Sequence, residues 1–160
     1  MSSLDIEQLS QRDKRALVFH LLYTAEALEY QTPLVAILAG YQHGFDCNIP
    51  DDSLMVKTAE AIITQRDELD KIYQPLLSNW RFDRLGVATR LILRFATWEL
   101  LYSDVQSIIV INEAIELAKC FAEKDAYKFV NGILDEVAKK LGRTPPMTQS
   151  LPSDTPIDVD

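Results

Sequence analysis

Residues 125–132, DAYKFVNG, place an acid, two aromatics, a lysine, an amide and a glycine side by side in a helical pattern. Such a set suits binding rather than bond-making. Successive helical residues turn by about 100°, so Tyr127, Val130, Ile133, Leu134 and Val137 gather on one apolar stripe. Phe129 and Asn131 then fall at its two edges, and Lys128 points to solvent. Asp125 is placed to cap the helix. A phenylalanine at the border of a core has two uses, and both are open here. It can close the core, or it can be a platform for a nucleic-acid base, worth about 1–3 kcal/mol per base. A neighbouring Lys128 can hold a phosphate.

A second set lies near the N-terminus, where Arg12, Lys14 and Arg15 precede Tyr23. Aromatics interleaved with basic side chains are what single-stranded RNA requires. In the middle of the chain, Arg90, Arg94 and Thr97 recur at i, i+4 and i+7 within VATRLILRFATWELLY, which is otherwise apolar nearly all round. Arginine is seldom buried alone, so this stripe calls for carboxylate partners.

Catalytic sets are missing from the sequence. It has no GxSxG, P-loop, GxGxxG or HExxH. Cys47 and Cys120 form no CxxC, and His20 and His43 have no helical partner for a metal. Asp51–Asp52 and Asp67–Glu68 read as solvated carboxylates. No catalytic residue, metal or cofactor is expected. The net charge of −8 counts against a nucleic-acid binder that relies on its own cations, and it suits a basic protein partner.

These groups must be positioned by helices. Ser10 is a cap for a helix beginning QRDKR, with Ala16, Phe19, Leu22 and Tyr23 on one stripe. Thr32 and Pro33 start a second helix, which Gly40 and Gly44 are expected to close. A long third helix opens near Asp51, and Pro75 should end or kink it. The segment RFDRLG reads as one turn ended by Gly86. The apolar segment 87–102 reads as the most buried helix. Ser107 is a candidate cap for the next helix, and Gly142 followed by Pro145 and Pro146 closes the last. The expected architecture is all-α, with six or seven helices, no strand and short antiparallel connections. Residues 1–142 read as one helical domain, and residues 143–160 as a disordered acidic tail. No apolar run approaches the ~20 residues that span a bilayer, and no secretory signal opens the chain. A cytoplasmic protein is expected.

Three segments carry a family resemblance. VINEAIELAKCFAEKDAYKFVNGILDEV resembles the C-terminal signature of the NusB family of transcription antitermination factors. NWRFDRLGVATRLILRFATWELLY is similar to that family's central segment, and RDKRALVFHLLY to its N-terminal basic helix. Together they cover most of residues 12 to 140. The resemblance implies two packed three-helix bundles. It also implies binding of boxA-type single-stranded RNA together with NusE, the ribosomal protein that doubles as an elongation factor. This would act on RNA polymerase indirectly and promote processive transcription of ribosomal RNA operons.

By the same resemblance, Arg12, Lys14, Arg15, Tyr23, Asp125, Lys128 and Phe129 would touch RNA, and Asp83, Arg84 and Arg90 would touch NusE. A homodimer is compatible with it. Two departures stand out: Asp13 interrupts the basic segment, and Thr89 occupies a position that is commonly acidic in the family. They keep an alternative in play, a protein-interaction module on the same fold without significant RNA binding of its own.

Overall fold

A computed structural model describes residues 4–5, 8–45, 47–77 and 84–143. Among them are seven α-helices: α1 (Gln11–Ala27), α2 (Leu34–Phe45), α3 (Leu54–Thr64), α4 (Arg66–Tyr73), α5 (Val87–Tyr102), α6 (Ser107–Phe121) and α7 (Ala126–Lys140). The one strand-like feature in the described residues is a two-residue parallel pairing, Leu4–Asp5 with Cys47–Asn48. The all-α expectation therefore stands.

Local chemistry explains three of the helix ends. The Ser10 hydroxyl accepts from the Asp13 amide at 3.0 Å and starts α1. The Ser53 hydroxyl does the same for Val56 at the start of α3. At the end of α7, Gly142 takes φ +71°. Its amide donates to the Lys139 carbonyl, and the Arg143 amide reaches back to Ala138, a Schellman closure.

Several boundaries differ from expectation. Gly40 and Gly44 lie inside α2, which runs on to Phe45, because neither needs a special backbone angle. Pro33, not Thr32, supplies the carbonyl that the Ile37 amide meets. Ser107 is already helical, and Gln106 precedes it without a side-chain cap. The long third helix is two. It breaks at Gln65 (φ −100°, ψ 14°), where the Arg66 guanidinium donates to the Ile63 carbonyl at 2.7 Å. Pro75 behaves as its chemistry dictates: α4 stops at Tyr73, and a single 3₁₀ turn, Gln74–Leu77, follows. Residues 78–83, which include the first half of the expected RFDRLG turn, lie outside the described residues.

Two helix groups share one core. Helix α1 packs on α2 and α3, while α5, α6 and α7 pack on one another. Helix α5 joins the groups through further contacts with α1, α3 and α4. It is the most buried helix, as its all-round apolar sequence requires: Leu91, Ile92, Leu93, Phe95, Ala96 and Leu100 are all inside.

The polar stripe on α5 finds its partners from two directions. Arg94, 4% exposed, donates from Nε and Nη2 to the two Asp70 carboxylate oxygens at 2.9 and 2.8 Å. The Tyr73 hydroxyl donates to Asp70 at 2.9 Å, and Arg94 Nη1 donates to the Tyr30 hydroxyl at 3.1 Å. Tyr30 in turn donates to Glu26 at 2.7 Å, and Arg66 lies 3.9 Å over its ring. Burial opposes the Arg94 charge, yet the Asp70 hydrogen bonds outweigh it and hold the guanidinium above its ordinary pKa. The network ties the α1–α2 connection, α4 and α5 together.

Candidate nucleic-acid interface

The start of α1 is fixed by two fork-to-fork ion pairs. Arg12 meets Glu113 of α6 through Nε and Nη2 at 3.1 and 3.0 Å. Arg15 meets Glu99 of α5 in the same way at 3.1 and 2.9 Å. Their surroundings differ. The Arg15–Glu99 pair is nearly enclosed, with both side chains 12% exposed, whereas Arg12 keeps 63% of its side chain in solvent. The Arg12 hydrogen bonds hold the Glu113 carboxyl below its ordinary pKa. Lys14 has no carboxylate partner among the described residues, and it lies on the side of α1 that faces α3 and α5. The three basic residues are therefore not equivalent. Arg15 is structural, Arg12 offers the open side of a positioned fork, and Lys14 is available.

Aromatic side chains continue this face along α1. Phe19 is buried, and the Phe121 ring from the last residue of α6 stacks on it at 5.0 Å with an 18° interplanar angle. His20 meets the edge of Phe121 at 4.9 Å, and Tyr23 lies 6.0 Å from Phe19. Burial keeps the His20 imidazole below its ordinary pKa, so it is neutral at physiological pH. The outer rings stay wet: Tyr23 is 44% exposed and Phe121 39%. Between Phe121 and Arg12 lies a cavity of about 210 Å³, also lined by Glu116 and Cys120.

Phe121 follows Ala114 and Ala118 on the apolar stripe of α6, and it touches the core through Phe19. As the final helical residue, however, it leaves its outer face uncovered. Its helix-end position, together with the i, i+4 spacing of Phe19 and Tyr23, is the signal that marks it.

The start of α7 is differently built. Asp125 precedes the helix with φ +66° and makes no side-chain cap hydrogen bond, so its carboxylate is exposed instead of capping. Lys128 is exposed and lies 3.9 Å from that carboxylate. Lys119 and Lys128 stand 5.1 and 5.9 Å from the Tyr127 ring centre. Phe129 is half-buried and packs against the core, so it closes the core while keeping an edge outside. Gly132 has nothing within 4 Å of where a side chain would begin, so no neighbouring helix requires a glycine there.

The expected partner face centres on the N-terminus of α5. Asp83 lies outside the described residues; Arg84 is exposed and Arg90 half-buried. The buried Thr89 hydroxyl donates to the Glu123 carboxylate at 2.6 Å. That bond holds Glu123 below its ordinary pKa. The same carboxylate lies over Gly86, where an added Cβ would collide with Glu123 Oε2. An acidic group therefore does occupy this face despite Thr89. It comes from the α6–α7 connection rather than from α5.

Neither metal-ligand clusters nor helices long and apolar enough to cross a membrane occur among the described residues.

Comparison with known proteins places these features. The NusB family profile matches residues 12–139. Over 129 residues the chain is 33% identical to the transcription antitermination protein NusB of Staphylococcus epidermidis, covering 81% of this chain and 98% of that protein. It is 42% identical over 78 residues to the NusB of Macrococcus caseolyticus, covering 49% of this chain and 60% of that protein. The solved structure of T. maritima NusB superposes with a TM-score of 0.71 at 32% identity, covering 82% of this chain and 92% of that one. A chain in the crystal structure of a plectonemic RNA supercoil shares the fold at 24% identity and a TM-score of 0.70. With most of its length matched in sequence and fold, the chain belongs to the NusB family, whose relatives here are named transcription antitermination proteins and are not enzymes.

Proposed function

We propose that this chain is an antitermination factor that binds boxA-type single-stranded RNA as a heterodimer with NusE. The observation that carries this reading is the exposed pair Tyr23 and Phe121, braced by buried Phe19 beside the open fork of Arg12. Rings held rigidly with one face wet are what base stacking needs. An arginine already oriented by a carboxylate loses little freedom on meeting a phosphate or base edge. Asp125, Lys128 and the outer edge of Phe129 extend the contact set.

The chain's own cations are few. Arg15 is held by Glu99, and the net charge is −8. Most phosphate neutralisation must then come from a basic partner. Arg84, Arg90 and the Glu123 carboxylate form the proposed NusE face, together with Asp83. The complex works in the cytoplasm, reaches RNA polymerase indirectly, and supports processive transcription of ribosomal RNA operons.

A gel-shift titration tests this. Weak boxA binding alone and much tighter binding with NusE are expected; unchanged RNA affinity on adding NusE would refute it.

A second reading has its own observation. Both N-terminal arginines already have carboxylate partners, which suits a protein-interaction module without RNA affinity. That reading predicts NusE binding with no RNA shift at any salt concentration.

A further inference from the structure

The cavity of about 210 Å³ between α1 and α6 has walls that discriminate among bases. Pockets for drug-sized ligands run to about 300–1,000 Å³, so this one has room for a single heterocycle. Phe121 forms one wall. Phe19 already stacks on that ring at 5.0 Å, and Phe121 stays 39% exposed, so a ring held in place still has surface to offer a base.

The polar lining does not suit a phosphate. Both guanidiniums that reach the cavity are already forked onto carboxylates, Arg12 onto Glu113 and Arg15 onto Glu99. Asp13, Glu113 and Glu116 bring three negative charges to the same lining, and an added anion would be repelled. What the cavity can take is an uncharged group that donates hydrogen bonds. Glu116 is the available acceptor. It is half-buried one turn after Glu113, and its ion pair with exposed Lys119 is long, at 3.7 Å. The Arg12 guanidinium is held above its ordinary pKa first by the Glu113 hydrogen bonds and to a lesser degree by the Glu116 charge. Arg12 and Glu116 therefore stand close enough to act on one ligand. Arg12 grips Glu113 through Nε and Nη2, which leaves Nη1 outside that fork.

A carboxylate can accept from two adjacent N–H donors at once. On the Watson–Crick edge of the RNA bases, guanine alone presents such a pair, N1–H beside the N2 amino group, and its O6 acceptor follows on the same edge. Adenine, cytosine and uracil each place an acceptor lone pair beside their donor. We infer that this cavity is a guanine subsite: the base lies against Phe121, the Glu116 carboxylate accepts from N1–H and N2–H, and Arg12 Nη1 donates to O6. The inference rests on the RNA-binding reading of this face and names the base that the face selects. Glu116 is its specificity-determining residue.

Fluorescence anisotropy on the full chain with NusE tests this. The probes are short uridine strands with one central base varied: guanine, 7-deazaguanine, hypoxanthine or adenine. Hypoxanthine lacks only the N2 amino group, and 7-deazaguanine alters only the opposite edge. The guanine and 7-deazaguanine strands should bind about tenfold more tightly than the other two, the discrimination of one good bidentate pair. Glu116→Gln should abolish that difference without weakening the adenine strand, since a negative charge facing RNA has been removed. Equal affinity for guanine and hypoxanthine in the unaltered chain would overturn the inference and leave RNA binding intact. A guanine preference that survives Glu116→Gln, with every strand tightened alike, would overturn it too, reducing Glu116 to a bulk charge. Absence of binding to any strand would remove the RNA-binding reading and the subsite together.

Discussion

Asp70→Asn is the sharpest perturbation of the fold that positions the interface. It keeps the side chain's shape and removes its charge. Arg94, 4% exposed, would then keep a buried positive charge with only Tyr30 and the more distant Glu26 carboxylate, 3.8 Å away, to offset it. The Tyr73 hydroxyl would also exchange a charged acceptor for a neutral one. Breaking one side of a buried pair costs about 3–5 kcal/mol. For a chain of this size each kcal/mol moves the melting temperature by roughly 2–4 °C, so a fall of about 6–20 °C is expected. Urea unfolding followed by circular dichroism gives the free energy directly. Adding Arg94→Met to the variant should recover much of the loss, because the orphaned charge goes with it. A loss below about 1 kcal/mol in the single variant, or additive losses in the double, would refute the claim that this pair is closed to water.

Three further outcomes follow from the geometry. Phe121→Ala should weaken boxA RNA binding in the NusE complex by about 1–3 kcal/mol, whereas Phe129→Ala, which opens the core, should also lower stability measurably in urea. Glu113 has a depressed folded-state pKa, so its stabilising contribution is present above its unfolded value and is lost as pH falls through the lower folded value; Arg12→Ala should flatten stability against pH below about pH 4, and NMR titration should show the Glu113 pKa rising. Gly142→Ala should cost about 1–2 kcal/mol in thermal unfolding, because φ +71° strains any residue with a Cβ.

Much of the fold could be read from local chemistry. Ser10 and Gly142 bracket the described helices with signals that need no tertiary information, and the apolar run of α5 announces its burial. The break at Gln65 could not be read in this way. It involves no proline or glycine, and it persists because Arg66 satisfies the carbonyl that the break releases. The candidate site divides along the same line. Arg12, Tyr23 and Lys128 were visible as residue types at helical spacing. What they do is decided by Glu113, 101 residues away from Arg12, and by Phe121, whose exposure follows from where α6 stops. Arg15 looked identical to Arg12 in sequence, and only Glu99, 84 residues away, makes it structural. Thr89 looked like the loss of an acid until the α6–α7 connection brought Glu123 to the same place.

The central claim is that this chain supplies aromatic platforms while a basic partner supplies most of the phosphate contacts. The measurement that tests it most directly is boxA RNA affinity across salt concentration, with and without NusE. Single strands lose log affinity with log salt at about −0.7 per neutralised phosphate. Arg12, Lys14 and Lys128 allow a slope no steeper than about −2 for the chain alone. The account predicts that NusE steepens this slope by at least about 1 and raises affinity at every salt concentration. Equal slopes and equal affinities with and without NusE would contradict it.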